Sequence, residues 1–517
     1  MLAYLSRQKI ALTKITAVIG LLLYPSTQLY ASKDSKSALK PISVAIESNI
    51  RTYDSRYAVD ANSQYMENLI HCSLIDFDPN GSITPQLAIS APVWLSPTFL
   101  SIKLRDDLYF SNGKKVTAED VKATYEQLNS QQVFPRSGAF RKLKKISQKS
   151  IDHLIFELSE PDASFQNNLV VGILPHQHLD QNPIDIDKTP TCGPFTLSEK
   201  NTNRILISPN PHYKGPIKAR TQIEFKVVKS EKTRLSKLRA SEIDISQNNI
   251  NRDLIGDIER KYPHLKVITG SALKTTYLGF NVKDPLTGNK DIRQAISHAI
   301  NRESIIDLLL GGLAEPAYSM MPPHSPYYNQ GIKQRDLDIE KAKKILDDAG
   351  FPQKDKYRFQ ISYKTTTDST RINIARAIAS QLKKIGIKVI IEPMEWGRFK
   401  QDVENGRVQM WSLSWIGFKD PDIFRYAFAS ESFPPNGGNR GRYHNKALDK
   451  LVGKGILTQA FSERKKIYDQ VQQIINDELP YIFLWHEKNF AVVQKSIQGF
   501  ELYQDGRLFS LIKTSKQ

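Results

Sequence analysis

Between Tyr277 and Glu392 the hydrophobic pattern switches repeatedly between an extended and a helical period, and this alternation restricts the fold more than any other feature. Tyr277-Leu278-Gly279-Phe280-Asn281 reads as a strand. Asp291 then offers a helix cap ahead of Ile292, Ala295, Ile296 and Ala299, whose spacing defines one buried stripe. A second helix is expected from Glu303, with Gly311-Gly312 as its stop. Asp338 caps a third, with Ala342, Ile345, Leu346 and Ala349 inward, and Gly350 ends it because glycine enters the left-handed region without penalty. Residues 371–385 form a further helix that halts at Gly386 and feeds the strand Ile387 to Glu392. Strands separated by helices in this way describe an α/β domain.

Upstream, Ile42 to Ile46 is expected to be a first strand and residues 62–75 a helix, closed by the turn Phe77-Asp78-Pro79-Asn80-Gly81. The extended run Phe99 to Leu104 leads to Tyr109-Phe110, and Asn112-Gly113 supplies a tight turn. Thr117 with Asp120 three residues on forms a capping box, and Ala118, Val121, Tyr125 and Leu128 mark the buried face of the helix that follows. Thr191-Cys192-Gly193-Pro194-Phe195 turns into new strands through Ile205-Leu206-Ile207 and Ile223 to Val228.

The wordings LRDDLYFSNGKKVTAEDVKATYEQL, FNVKDPLTGNKDIRQAISHAINRESI, DIEKAKKILDDAGF and LKKIGIKVIIEPMEW, in that order, resemble the family 5 solute-binding proteins of ABC transporters. That group contains dipeptide, oligopeptide and nickel binders, and the resemblance runs from about residue 42 to residue 500. It implies an α/β, two-lobed periplasmic binding protein fold (type II, the large three-domain variant) with mixed sheets flanked by helices and a ligand cleft between lobes. The implied division is a first lobe from residues 32–64, 189–274 and 491–517, a second domain inserted at 65–188, and a second lobe at 275–490. Ligand is enclosed as the lobes close on a hinge.

At 517 residues the chain exceeds one compact core. Hydrophobic content of 40% with a mean hydropathy of -0.42 describes a soluble globular protein. Arg7, Lys9 and Lys14 precede the apolar stretch Ile15 to Tyr24, and Tyr30-Ala31 offers a cleavage point, so residues 1–31 read as a secretory signal peptide. No cysteine lies near that junction, which leaves the exported protein free in the periplasm rather than lipid-anchored. The net charge is +18 and becomes +15 without those three bases. The bases are scattered or in short clusters, with no tract interleaving them with aromatics, so a solvated basic surface is expected and nucleic acid is not a partner. Cys72 and Cys192 permit one disulfide in an exported chain, although the apolar run around Cys72 suits a buried thiol equally.

Motifs for catalysis are missing: there is no HExxH, no GxSxG and no GxxxxGK. His153, His176 and His178 are the available metal ligands, but loop histidines beside Pro175 are ordinarily solvated, so neither a metal nor a cofactor is expected. The binding candidates lie between residues 396 and 442. Tryptophans placed like Trp396 and Trp415 line the inter-lobe pocket in oligopeptide-binding relatives, and flat apolar walls suit varied side chains. Those relatives carry an Asp three residues after the second tryptophan, for the ligand's α-ammonium group, and an Arg three residues before it. Here these positions are Phe418 and Ser412. Losing such a charge partner costs a bound ammonium ~2–5 kcal/mol. Asp420 or Asp422 can replace it if the loop is re-registered, and Asp422 can equally cap the next helix. Arg440 and Arg442, in the Gly-rich stretch Pro434 to Tyr443, can hold a carboxylate or phosphate, or stay solvated. The resemblance therefore implies a peptide or peptide-like ligand and an ABC permease with its ATPase as partners of a monomeric, non-enzymatic receptor. A metal chelate, an anionic oligosaccharide or a modified peptide is the alternative solute.

Overall fold

The structure, a computed structural model, describes residues 40–79, 81–130, 133–215 and 221–517; the signal-peptide segment 1–31 and the polar leader after it lie outside the described residues. One sheet of eleven strands runs through the molecule: β1 (Ile42–Ile46), β2 (Phe195–Lys200), β3 (Arg204–Pro209), β4 (Ile223–Val227), β5 (Ile245–Gln247), β6 (Leu265–Phe280), β7 (Ala314–Pro316), β8 (Phe359–Thr366), β9 (Ile387–Met394), β10 (Met410–Ile416) and β11 (Tyr481–Gln494). Their hydrogen-bonded order is β9-β8-β10-β6-β11-β5-β1-β4-β3-β2, with β7 added on β11. Parallel pairs (β8 with β9 and β10, β1 with β4 and β5) sit on either side of the antiparallel pair β6–β11. That pair changes register between Ser271 and Thr275 and again between Thr276 and Tyr277. At the first shift the Leu273 amide donates to the Gln504 carbonyl (2.8 Å), and the Leu273 carbonyl accepts from the Gly417 amide (2.8 Å). Such a bulge bends the strands that carry it.

Each half of the sheet is covered on both faces, which is why its strands read as apolar runs. Beside β6, β8, β9 and β10, one face packs Ile292, Ala295, Ile296 and Ala299 of the helix Lys290–Ala299, all fully buried, together with Leu346 and Leu382. The other face packs Phe399, Phe424, Phe428, Tyr468 and Val471. On the β1 side, Met66, Leu69, Phe195 and Leu508 form one core and Leu238, Ile255 and Ile258 the other.

The expected helices are present with shifted starts. Asn289, not Asp291, caps the first: its side chain accepts from the Asp291 and Ile292 amides, and Asp291 sits in the first turn, where its charge complements the helix dipole. Asn301 caps Arg302–Leu310, one residue ahead of Glu303, and Gly311 ends it at φ 58. Asp338 caps Ile339–Asp348 as expected, with Ala342 and Leu346 buried and Ile345 only partly so. Asp368 caps Ser369–Lys383, two residues earlier than the pattern implied. The first helix is shorter than expected, Ala61–Ile70, because the chain then extends into the strand Ile75–Phe77 paired with Ile83–Pro85.

The segment between residues 72 and 192 makes its own core. Strands Val93–Ser96, Phe99–Lys103, His153–Leu158 and Leu143–Ser150 form an antiparallel sheet in that order. The helix Ala118–Ser130 buries Ala118, Val121, Tyr125 and Leu128 against it. The capping box is formed: Thr117 Oγ1 accepts from the Asp120 amide (3.4 Å) and Asp120 Oδ2 accepts from the Thr117 amide (2.8 Å). Cys72 and Cys192, both buried, are joined in a disulfide with their Cα atoms 5.2 Å apart, so the first of the two sequence readings applies. Gly193 is required beside it, since a Cβ there would come within 2.4 Å of the Ile70 carbonyl carbon. The bridge closes a separation of 120 residues. Replacing both cysteines with serine is expected to cost up to about 5 kcal/mol, the loop-closure value for so long a loop. Guanidinium unfolding with and without reductant measures this, and coincident curves would show that the bridge does not form.

Candidate functional site

A cleft of about 640 Å³ opens along the bulged pair β6–β11. On one wall stand Glu47 after β1, Asn248 and Asn249 after β5, and Arg252 at the start of the helix Arg252–Lys261. Facing them are Lys274 and Thr276 of β6, Ser412 and Ser414 of β10, Glu487 of β11, and Asp368 to Arg371 where the chain enters its helix. The placement follows from strand direction. β8, β9 and β10 are parallel, with Thr366 beside Met394, so their carboxyl ends share one edge, and Asp368, Trp396 and Gly417 all follow that edge. Ligands of α/β sheets bind beyond such carboxyl ends. A smaller space of about 270 Å³ continues from Asn248, Lys274 and Glu487 toward Ile416, Gly417 and Asp505.

The floor of the cleft is charged. Glu487 is buried and lies 2.7 Å from Arg252 and 2.8 Å from Lys274. Burial works to raise the Glu487 carboxyl, but Lys274 and then Arg252 outweigh it and hold the group below the ordinary range. One carboxylate thus answers two cations. Asn248, held at φ 56, donates to Asn489 (3.0 Å) and accepts from the Phe490 amide (2.9 Å), which fixes the cleft wall to β11. These residues were not singled out from sequence. The available signal was a charge inside an apolar strand, as in Leu273-Lys274-Thr275 and Trp485-His486-Glu487.

The residues that sequence did single out separate into three groups. Trp396 and Trp415 lie at the carboxyl edge. Trp396 begins its helix 51% exposed, its ring tilted on Phe399 at 5.9 Å. Trp415 is half-buried, stacked toward Tyr277 (6.2 Å) and set edge-on to Tyr426 (5.8 Å). Phe418 is buried and lines a small space of its own with Met321 and Pro322, apart from the cleft. Asp420 and Asp422 lie behind this surface. Arg464 grips Asp420 with two bonds (2.6 and 2.7 Å), and Asn167 of the inserted segment donates to it (2.8 Å). Asp422 begins the helix Ile423–Phe428 but makes no capping bond there; it accepts from the Tyr468 hydroxyl (3.2 Å).

Arg440 and Arg442 also turn inward. Arg440 lies over the Trp415 ring (5.0 Å), and Arg442, at φ 58, donates to the Glu404 carbonyl (2.5 Å). The glycines of this loop admit protein: a Cβ on Gly438 would come within 2.5 Å of the Trp415 ring. His176 Nδ1 lies 2.8 Å from Asp120 and His153 pairs with Ser101, and no group of three metal-ligating side chains occurs among the described residues.

Two α/β halves joined by crossing strands, with a charged cleft at the crossing, define a two-lobed solute-binding protein. The chain matches the bacterial extracellular solute-binding proteins, family 5 Middle, over residues 82–435, and it belongs to that family. It is 27% identical over 547 residues to the oligopeptide-binding protein AppA of Bacillus subtilis (strain 168), covering 98% of this chain and 99% of AppA. Identity to di/tripeptide-binding protein 2 of Pseudomonas aeruginosa (strain UCBPP-PA14) is 25% over 492 residues, covering 89% and 91%. The structure of the Bacillus subtilis AppA in complex with a nonapeptide aligns at a TM-score of 0.69 and 26% identity, covering 92% of this chain and 99% of that one. HbpA2 from Haemophilus parasuis aligns at a TM-score of 0.83 and 22% identity, covering 92% and 100%, and shares the fold. No helix among the described residues is long and apolar enough to cross a membrane.

Two titratable groups, buried His486 and partly buried Asp422, act on stability with opposite sign. His486, 2.8 Å from the Thr275 hydroxyl, is lowered from 6.5 to about 3 by burial and then by His324. Asp422 is raised from 3.8 to about 6 by burial and then by Asp420. Folded His486 rejects a proton that the unfolded chain accepts. Its contribution is therefore complete above pH 6.5 and is lost toward pH 3, by up to ~1.4 kcal/mol per pH unit. Folded Asp422 keeps a proton that the unfolded chain releases, so its contribution is complete below pH 3.8 and lost as pH rises to about 6. Relative to wild type, His486→Gln should lose stability less steeply on acidification below pH 6.5, and Asp422→Asn more steeply between pH 6 and 3.8. Urea unfolding across this range checks both signs, and three parallel profiles would refute them.

Proposed function

We propose that the protein is an exported receptor that captures peptides between its two lobes and delivers them to an ABC permease driven by a cytosolic ATPase. It acts in the periplasm without a lipid anchor, as a monomer, and performs no catalysis. The lobes are residues 32–64 with 189–274 and 491–517, and residues 275–490, with 65–188 as the inserted domain. The observation that carries this reading is the polar cleft at the β6–β11 crossing, whose walls come from both halves of the sheet. Similarity to oligopeptide- and di/tripeptide-binding proteins along nearly the whole chain supports the ligand class. Both signs of charge line the cleft, Glu47 on one wall and Arg371 on the other, as a zwitterionic solute requires. Trp396 and Trp415 are the walls for side chains.

Of the other sequence candidates, Asp420 and Asp422 tie the second lobe together and Asp420 meets the inserted segment, while Arg440 and Arg442 support the edge from behind. Two acids on this side already hold cations: Asp420 has Arg464, and Asp505, on the smaller space, has Lys419 at 2.7 Å and Arg507 at 2.6 Å. An ammonium group would have to compete with these cations, and this keeps a second reading in play, a solute with a blocked or absent amino terminus.

Native mass spectrometry of protein taken gently from its own periplasm, repeated after denaturing release, tests the proposal. A mixture of short peptide masses is the expected result, and a single non-peptide or metal-bearing mass would overturn it. With a peptide identified, Trp415→Ala should weaken binding by roughly 2 kcal/mol, about thirtyfold, and Trp396→Ala by less. Calorimetric titration measures both.

A further inference from the structure

The floor of the cleft holds two cations against one acid. Arg252 Nη2 lies 2.7 Å from Glu487 Oε2, Lys274 Nζ lies 2.8 Å from Oε1, and the Thr276 hydroxyl also donates to Oε1 (3.4 Å). Among the described residues no other carboxylate is within ion-pair distance of either cation. The Arg252 and Lys274 side chains remain 30% and 33% exposed, whereas that of Glu487 is 9% exposed, so the acid is covered and its partners face open space. All three residues line both the main cleft and the smaller space of about 270 Å³ that continues from it. The one other acid on the wall of the smaller space, Asp505, is likewise held by two cations, Lys419 at 2.7 Å and Arg507 at 2.6 Å.

One carboxylate between two cations leaves one positive charge where the two spaces meet. Glu487 already accepts from three donors, so an incoming ammonium group would have to displace one of them and would meet two like charges. An incoming carboxylate meets the reverse. Arg252 makes one bond to Glu487 where a guanidinium can make two side by side, and a lysine has three N–H groups to place. Each can therefore serve a second acceptor without releasing the first. Arg252 begins its helix on one wall and Lys274 follows the bulge of β6 on the other, so an anion between them touches both halves of the sheet. Water solvates the pair while the cleft is open but brings no counter-charge, and attraction for an anion strengthens as water is expelled.

We infer, taking the cleft as the place of capture proposed above, that Arg252 and Lys274 bind a carboxylate of the solute, and that the smaller space receives the group bearing it. Glu487 is the positioning residue: it holds both cations at the floor and turns an ammonium group away. The carboxylate has two sources, the carboxyl terminus of a peptide or an acidic side chain.

Calorimetric titration of the full chain with four tripeptides decides the source: Ala-Gln-Ala and Ala-Glu-Ala, each with a free and with an amidated carboxyl terminus. Wild type should bind the form with the recognised carboxylate about tenfold to a hundredfold more tightly than its uncharged counterpart, the range of a charge-assisted hydrogen bond. A preference lost on amidation assigns the carboxyl terminus, and one for glutamate over glutamine assigns the side chain. Lys274→Met and Arg252→Gln should each reduce that preference toward one. Glu487→Gln leaves both cations and removes the competing acid, so it should keep or increase the preference. It also serves where loss of a cation strands Glu487 and the chain fails to fold. Peptides that bind without any carboxylate preference leave the proposed function standing and overturn the subsite, as does a preference unchanged in both cation variants or reduced in Glu487→Gln. Where none of the four binds, glutarate against glutaramide reads the subsite alone. A thermal midpoint raised by glutarate in wild type and not in Lys274→Met then supports the subsite and counts against the peptide reading, and a midpoint indifferent to glutarate overturns the subsite as well.

Discussion

The antiparallel pair β6–β11 is the constraint on which the rest of the molecule depends. The apolar cores divide on either side of it, with the aromatic and aliphatic clusters of β8 to β10 distinct from those around β1 and β4. Hydrophobic burial therefore stabilises each half separately, and the ladder between Leu265 and Phe280 is what holds the halves in one sheet. The bulge at Ala272 to Lys274 breaks that ladder in its middle and sends its spare backbone groups to Gln504 and Gly417. Away from the strands the halves meet through polar contacts. Asp420 accepts from Asn167, the Ala163 amide donates to the Ile456 carbonyl, and Lys419 reaches Asp505 while lying over Phe77. Polar interfaces of this kind are the sort that permit relative movement.

Much of this architecture was legible in the chain because its causes are local. Gly113, Gly350 and Gly386 take positive φ where the pattern placed a turn or a helix stop, and Thr117 with Asp120 closes its capping box. At helix starts local reading erred by one or two residues, and the first helix stops at Ile70 rather than running to residue 75. Asn289, Asn301 and Asp368 compete with nearby acids for the same amide groups, and the winner is set by which backbone is still extended.

The site was less legible, because its pairings are long-range. Trp396 and Trp415 were found through their position after strands, and the parallel register of β8, β9 and β10 brings them to one edge. Charge partners could not be read in the same way. Asp420 meets Arg464, Glu487 meets Arg252 across 235 residues, and Arg440 lies over the Trp415 ring. A loop whose glycines promised room for a ligand uses that room for Trp415. Sequence spacing carries no information on which of two distant strands supplies a neighbour.

The disulfide has a mechanical consequence. The core of the inserted unit begins at Cys72 and ends at Cys192, and those two Cα atoms are 5.2 Å apart. The unit thus hangs from the sheet by a covalently tied neck, so tension along the main chain bypasses all of it. A stem this narrow also marks the place where such a module could be gained or excised in evolution without re-threading the scaffold that bears it.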